Sequence, residues 1–463
     1  MALDSAARPG GFDETLFDNP LMRVRLDTVL DSIPIGQDVD ARIPTVSGVL
    51  CIDDIPFTVT RNEINQLLPR SARVPSECPI HIIMERTTCK TIKCYVEFRT
   101  PEDARYVYHR ILNTFETKDV TSGYPVGPRI GSRAIDISIS DQDTLQKSLF
   151  PLAKYIRWTQ GIPVLTEIPE NERWSIGFKD FLTDEEMFCM RRAAENPGRT
   201  LYANKARQRT YECMISTLYK FPWFATELYT LHERNKVFET LCAMTKKLAD
   251  VLNGSVPILG LDILLLGELV RAGLHCPAFS PRMKWHLAIV ANDRVAQAAM
   301  SAGFHRDFPF ESLTLPTRGD PTTLFNYANL IARADTTNIL PEGLVNLHEG
   351  QDVSSMYGAK LFRWDKNKAK EMKFGETIRR ERELLRTLVC RGWAGVPPTP
   401  TPGRPGVQER KSIFHDPARS YLNRDWRQPE DHAAARRRVC PPGAWRALGD
   451  GDATSHRRNN TAW

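Results

Sequence analysis

The chain lacks the sequence signatures that usually mark a catalytic or metal centre. Its ten cysteines include no Cys-x-x-Cys pair and no Cys/His ligand spacing, which argues against a structural zinc site. It also lacks Gly-x-x-x-x-Gly-Lys-[Ser/Thr] and Gly-x-Gly-x-x-Gly, the glycine-rich loops that bind phosphates and dinucleotides. We therefore predict a protein that is not an enzyme and that carries no metal or cofactor.

Long apolar runs are also missing. No run approaches the ~20 residues that a membrane helix needs. The first residues, MALDSAARPGGFDETLFDNP, lack the basic and apolar regions of a secretory signal. Unpaired cysteines are typical of reduced thiols in an intracellular protein. These absences predict a nuclear or cytoplasmic protein, or one present in both compartments, with no membrane partner.

Excess positive charge is confined to the C-terminal part of the chain. The sequence has 62 Lys and Arg against 56 Asp and Glu, and 13 of these bases and 7 of these acids lie in residues 391–463. Residues 1–390 are therefore electrically balanced. The last part also contains Pro397-Pro398-Thr399-Pro400 and Arg436-Arg437-Arg438. We predict that 391–463 is a disordered basic tail that adds salt-sensitive affinity for phosphates.

Residues 46–139 show the clearest alternation of apolar and polar side chains. Thr60-Arg61-Asn62-Glu63 is a capping box, and Thr100-Pro101-Glu102-Asp103 opens a second helix with proline at its first position. The strands are predicted from runs rich in β-branched residues, at 46–52, 80–84, 91–98 and 134–139. The resulting order is β-α-β-β-α-β.

Two of these strands carry a resemblance to a known family. Leu50–Ile55 has the position and apolar pattern of the six-residue signature of the RNA-recognition motif, and Thr91–Phe98 has those of its eight-residue signature. The region thus resembles a divergent member of that family. The whole chain is similar to fungal proteins in which such a motif precedes a helical region. The resemblance implies an α+β fold, with a ferredoxin-like βαββαβ sandwich whose open sheet face binds single-stranded RNA.

The same resemblance implies which residues contact RNA. Tyr95 would stack a base, a contact that contributes roughly 1–3 kcal/mol. Lys93 would hold phosphate, with help from Lys90 and Arg86. Cys51 replaces the usual aromatic residue on the first strand and would line the groove. His81 on the second strand would add to this surface. The implied function is a non-catalytic RNA-binding protein in post-transcriptional regulation.

The rest of the chain is predicted to be mainly helical. The predicted organisation is a disordered segment 1–40, an RNA-recognition-like domain 41–145, a connector 146–180, a helical domain 181–390 and the tail 391–463. The aromatic cluster at 216–224 is predicted to form a packed core, with a second nucleic-acid surface as the alternative. The charged helix predicted at 374–389 is expected to pack lightly or to stand free.

Two other functional classes remain open from the sequence. In the first, the sheet face or the helix Thr60–Leu68 docks a partner peptide and RNA binding is lost; the helical domain would add further protein contacts. In the second, the helical domain is an enzyme. That reading requires a pocket that brings His275, His286 or His305 together with a carboxylate.

Overall fold

Four antiparallel strands form the main sheet. The structure, a computed structural model, describes residues 20–37, 47–122, 127–300, 302–316 and 320–394. The strands of the main sheet are β1 (Gly48–Asp53), β2 (Ile80–Met84), β3 (Thr91–Phe98) and β6 (Asp136–Ser140). Their order across the sheet is β2-β3-β1-β6. Three two-stranded ribbons are β4 (Arg129–Ile130) with β5 (Arg133–Ala134), β7 (Ile156–Thr159) with β8 (Ile162–Leu165), and β9 (Leu344–Asn346) with β10 (Phe362–Trp364).

Helices make up most of the remaining described structure. Those associated with the main sheet are α2 (Arg61–Leu67), α3 (Pro101–Ser122) and α4 (Gln142–Leu149). The others are α1 (Pro20–Asp31), α5 (Asp184–Glu195), α6 (Leu201–Lys205), α7 (Arg209–Lys220), α8 (Leu231–Leu252), α9 (Ile263–Leu274), α10 (Pro281–Val290), α11 (Arg294–Ala299), α12 (Ala302–His305), α13 (Pro321–Arg333), α14 (Lys366–Glu371) and α15 (Phe374–Ala394). The predicted mixture of a small antiparallel sheet with a helical C-terminal part is confirmed.

One face of the sheet packs against α2 and α3. Alternate residues of β1 and β3 enter this core together with the apolar stripes of the two helices: Leu50, Ile52, Cys94, Val96, Phe98, Ile64, Ala104, Val107 and Ile111. The capping box at Thr60 and Glu63 is present and fixes the start of α2. Ile92, at the start of β3, is 48% exposed. The pairing of β2 with β3 shifts register opposite this end of β3.

The opposite face of the sheet is covered as well. α7 lies along β2, and α4 contacts both β1 and α7. Val49, Cys51 and Tyr95 on this face belong to the same apolar cluster as Leu145 and Leu149 of α4. The sheet is therefore a layer between two sets of helices, which buries apolar area on both sides.

The helical part has a core rich in aromatic residues. Phe221, Trp223 and Tyr229 are buried and contact one another, and Tyr229 stacks on Phe374 at the start of α15. The prediction that the aromatic cluster at 216–224 is packed core is thus confirmed. All the described residues belong to one compact unit.

Two helices differ from the sequence-based expectation. α1 lies within the segment 1–40 that was predicted to be disordered; it packs against α15, and Val29 O accepts a hydrogen bond from Tyr327 Oη at 2.5 Å. α15 was expected to pack lightly, but Leu384, Leu385 and Leu388 are buried, so that prediction was wrong. The tail predicted at 391–463 lies outside the described residues from 395 onward.

Candidate functional site

The site predicted from sequence centres on Tyr95, and the structure places this residue in the interior. Tyr95 lies opposite Cys51 on β1 and His81 on β2. Its ring is 0% exposed, and its hydroxyl hydrogen-bonds to Ser148 Oγ of α4 at 2.8 Å. Burial raises the pKa of Tyr95 to about 12. The predicted stacking role is not supported, because α4 covers the position where a base would lie.

Next to Tyr95, a buried charged network joins the sheet to the helices. Glu97 Oε2 lies 2.9 Å from His81 Nε2, and Glu97 Oε1 lies 2.5 Å from both Lys220 Nζ of α7 and Gln142 Nε2 of α4. Burial disfavours the Glu97 carboxylate, but Lys220 and His81 outweigh it and hold the pKa of Glu97 well below its ordinary value. We name Glu97, His81, Lys220 and Gln142 the seam network.

His81 belongs to this network and is not a surface group. Its imidazole is fully buried. Burial disfavours the imidazolium, yet Cys78 and Glu97 together raise the pKa of His81 above its ordinary value. The Glu97 carboxylate lies against both His81 and Lys220, so it offsets the cost of burying positive charge on either of them. The prediction that His81 adds to an RNA-binding surface therefore does not fit its position.

Arg86, predicted to hold phosphate, instead ties the turn after β2 to two helices. Its Nη1 donates to Glu186 Oε1 of α5, and its Nη2 donates to Thr217 Oγ1 of α7, both at 3.1 Å. Both side chains of the Arg86–Glu186 pair are buried. The guanidinium also lies 5.8 Å from the centre of the Phe150 ring. With these partners, Arg86 has no access to a phosphate in solution.

Cys51 is buried, and its thiol donates to Asp53 Oδ2 at 3.2 Å. Burial raises the pKa of Cys51 to about 12.

Lys93 and Lys90 are the predicted site residues that keep contact with solvent. Lys93 Nζ forms an ion pair with Asp53 Oδ1 at 3.0 Å, and Lys90 is exposed in the turn before β3. The six predicted residues therefore do not form one open surface.

Two arginines that the sequence analysis missed, Arg209 (buried) and Arg61 (half-buried), strengthen the same interface. Arg209 at the start of α7 donates through Nε to Thr91 Oγ1 at 3.1 Å and also donates to Val59 O. Arg61 on α2 donates to Glu212 O at 3.2 Å and to Glu268 Oε2 of α9 at 2.9 Å. No sequence motif marks either arginine as an interface residue. The one available signal was the capping box, which placed Arg61 at the first position of α2.

Other places where a ligand could bind give little support to an enzyme. The cavity bounded by Tyr211, Lys247 and Leu261 has a volume of about 130 Å³, below the 300 Å³ or more of usual ligand pockets. His275 Nδ1 lies 3.3 Å from Glu77 Oε1. Among the residues that the structure describes, no group of three or more His, Cys, Asp or Glu side chains is arranged to hold a metal ion. None of the described helices is both long and apolar enough to cross a membrane.

Comparisons with known proteins match two separate segments of the chain. Residues 46–160, which include the main sheet and α4, match a family described as Domain of unknown function (DUF8400). Residues 178–293, which include α5 to α10, match a family described as Domain of unknown function (DUF8399). None of the curated proteins or solved structures compared with the chain matches it. The seam network, Arg61 and Arg209 thus join segments that are similar to two different families.

Proposed function

We propose that this protein is a non-catalytic protein-binding scaffold, built on an RNA-recognition-like sheet whose open face has been taken over by the chain's own helices. The β-α-β-β-α-β order and the strand order β2-β3-β1-β6 support the ferredoxin-like part of this proposal. The burial of Tyr95 and His81 supports the loss of RNA stacking. A partner peptide therefore docks somewhere other than on this face.

The surface that best suits a protein partner is formed by residues that come after the main sheet in the sequence. Trp174 is 81% exposed and Ile176 is 86% exposed, and both continue a series of exposed apolar side chains: Ile162, Val164, Leu165 and Ile168. We name these six residues the apolar strip. Large exposed apolar patches mark interaction sites, because leaving them in water costs free energy that a partner recovers. This observation carries the proposal.

Contacts within the chain hold the two halves of the apolar strip together. Thr166 N donates to Tyr155 O at 2.9 Å, which extends the β7–β8 ribbon, and Tyr155 Oη donates to Glu172 Oε2 at 2.5 Å. The segment 165–177 contains three acids, Glu167, Glu170 and Glu172, and one base. That base, Arg173, is already paired with Glu170 at 2.7 Å. The partner is thus expected to offer an apolar face flanked by basic residues.

A labelled peptide can test this expectation on the full chain. We expect a synthetic amphipathic helix of leucine and lysine to bind, and a helix with glutamate in place of lysine to bind at least about tenfold more weakly. Replacing Trp174 and Ile176 by serine should weaken binding of the lysine peptide by about tenfold or more, since exposed aromatic anchors carry most interface energy. Fluorescence anisotropy gives both dissociation constants.

The matched control is Leu259→Ser, which removes an almost fully exposed apolar side chain before α9. It should leave peptide binding unchanged. Equal binding by the wild type and the Trp174/Ile176 variant would refute the docking surface. A random single-stranded RNA forms a parallel arm. RNA binding that disappears in Tyr95→Leu would restore the RNA-binding function and overturn the scaffold proposal.

A further inference from the structure

A cysteine next to the edge strand of the main sheet lies close to a histidine and an arginine. Cys78, two residues before β2, lies 4.0 Å from His81 Nδ1 and 3.8 Å from Arg61 Nη2, measured from its Sγ. The other ring nitrogen of His81 lies 2.9 Å from Glu97 Oε2. A cysteine, a histidine and a carboxylate thus form a chain of contacts, and a guanidinium approaches the sulfur from a second direction.

This arrangement stabilises a negative charge on sulfur. Glu97 favours the protonated form of His81, and the other nitrogen of that ring faces Cys78. Burial disfavours the thiolate, but His81 and Arg61 outweigh it and lower the pKa of Cys78 below its ordinary value. The Ser216 hydroxyl on α7 adds to the lowering, and it is buried without a hydrogen-bond partner in the part of the chain that the structure describes.

The charged groups around Cys78 come from every element packed near it. They are His81 on β2, Glu97 on β3, Arg61 on α2, Glu212 on α7, Glu268 on α9, and the pair Glu77 and His275. The Glu268 carboxylate is paired with Arg61, and the Glu212 carboxylate is paired with Arg209. His275 is the near neighbour of Glu77. The two cations that contact the sulfur directly are therefore not displaced by these acids.

As a residue, Cys78 is also less deeply buried than most of the other cysteines described. Cys78 is half-buried, whereas Cys51, Cys89, Cys94, Cys213 and Cys276 are buried. Cys189, Cys242 and Cys390 are half-buried too, and burial raises the pKa of the Cys242 thiol to about 12 and also raises that of Cys390. Cys78 is therefore a half-buried cysteine whose sulfur contacts two cationic side chains.

We propose that Cys78 is a reactive thiolate and the site at which hydroperoxides oxidise this protein. The thiolate sulfur attacks one oxygen of the peroxide; an S–O bond forms and the O–O bond breaks. Sulfur loses two electrons and becomes sulfenic acid, and the second oxygen leaves as hydroxide: Cys–S⁻ + H₂O₂ gives Cys–SOH + OH⁻. The product is uncharged, so His81 and Arg61 lose the anion that lies between them.

Alkylation kinetics of the full wild-type chain test this proposal without any variant. We expect iodoacetamide, at limiting concentration and pH 6.5, to label Cys78 at least about tenfold faster than Cys242 and Cys390, as read by peptide mass spectrometry. Between pH 6.5 and 9 the Cys78 rate should rise less steeply with pH than the rates of the reference thiols, because the pKa of Cys78 is lowered. The reference thiols should speed up about tenfold per pH unit, because only their thiolate fraction reacts. A Cys78 rate that rises with pH like theirs, or that is slower, overturns the proposal.

Two further arms identify the cause and the reagent. Arg61→Gln should make the Cys78 rate rise more steeply with pH than in the wild type, and Arg61→Lys should restore the wild-type profile; an unchanged profile in Arg61→Gln would contradict the role of this cation. Hydrogen peroxide with dimedone as a trap should place the adduct on Cys78 before the reference thiols. Adducts that appear first on Cys242 or Cys390 would refute oxidation at this site.

Discussion

Replacing Tyr95 by alanine is expected to lower the free energy of unfolding by roughly 3–5 kcal/mol, the cost of removing a large buried aromatic side chain. The ring is fully buried between β3 and α4, within the cluster that includes Cys51, Leu145 and Leu149. An exposed stacking platform would show no such cost, since surface substitutions usually change stability by less than about 0.5 kcal/mol. Urea unfolding of the full chain measures the difference.

Two controls separate packing from other effects of the substitution. Tyr95→Phe keeps the ring and loses its hydrogen bond to Ser148, so a loss of about 1 kcal/mol is expected. Tyr106→Ala removes an exposed tyrosine on α3 and should cost about 0.5 kcal/mol or less. If Tyr95→Ala and Tyr106→Ala were equally mild, the sheet face would be open to solvent and the buried arrangement would be wrong.

A buried glutamate in the helical core should make the stability of the protein depend markedly on pH. Glu233 Oε1 accepts hydrogen bonds from Phe181 N and Leu182 N, both at 2.9 Å, while Oε2 is buried with no partner among the residues that the structure describes. Burial, with a contribution from Asp180, raises the pKa of Glu233 from 4.5 to about 8. The folded state therefore binds a proton that the unfolded state releases between these two pH values.

The sign of the effect follows from this proton. Stability should fall as pH rises from 4.5 to about 8, because the unfolded state binds fewer protons over that range. Glu233 contributes roughly 3–5 kcal/mol to the fall, at about 1.4 kcal/mol per pKa unit. Glu233→Gln resembles the protonated acid and should remove this contribution, which makes the variant more stable than the wild type at pH 8.

Glu239→Gln on the exposed face of the same helix is the matched control and should leave the pH profile unchanged. Chemical unfolding at pH 5, 6.5 and 8 gives the three profiles. The burial of Glu381 raises its pKa to about 7, so part of the fall should remain in Glu233→Gln. Parallel profiles for wild type and Glu233→Gln would show that Glu233 is ionised throughout, contrary to the expectation.

The elements of the sheet could be predicted from the sequence because their signals are local. The alternation in β3 and the capping box at Thr60 depend on near neighbours, and both appear in the structure. The α3 start at Pro101 is also local. What each sheet face contacts depends on residues more than a hundred positions away, such as Lys220 for Glu97. Local patterns contain no information about those partners.

A signal for the covered face was nevertheless present. Val49-Leu50-Cys51-Ile52 is a continuous apolar run, and both alternating sets of β1 are buried. Such runs are typical of strands buried on two faces, whereas an open sheet shows clean alternation. The resemblance to an RNA-binding family instead led to the prediction that Cys51, Lys93 and Tyr95 lie on an open face. The seam network could not be predicted, because it combines one residue each from β2, β3, α4 and α7.

The most direct test of the buried sheet face is a double-mutant cycle between Glu97 on β3 and Lys220 on α7. Unfolding free energies are measured for wild type, Glu97→Gln, Lys220→Met and the double variant. Contact across the seam at 2.5 Å predicts a coupling energy of about 1–3 kcal/mol. Additive effects, with a coupling energy within about 0.3 kcal/mol of zero, would mean that α7 does not lie on the sheet in solution and that its face is free to bind RNA.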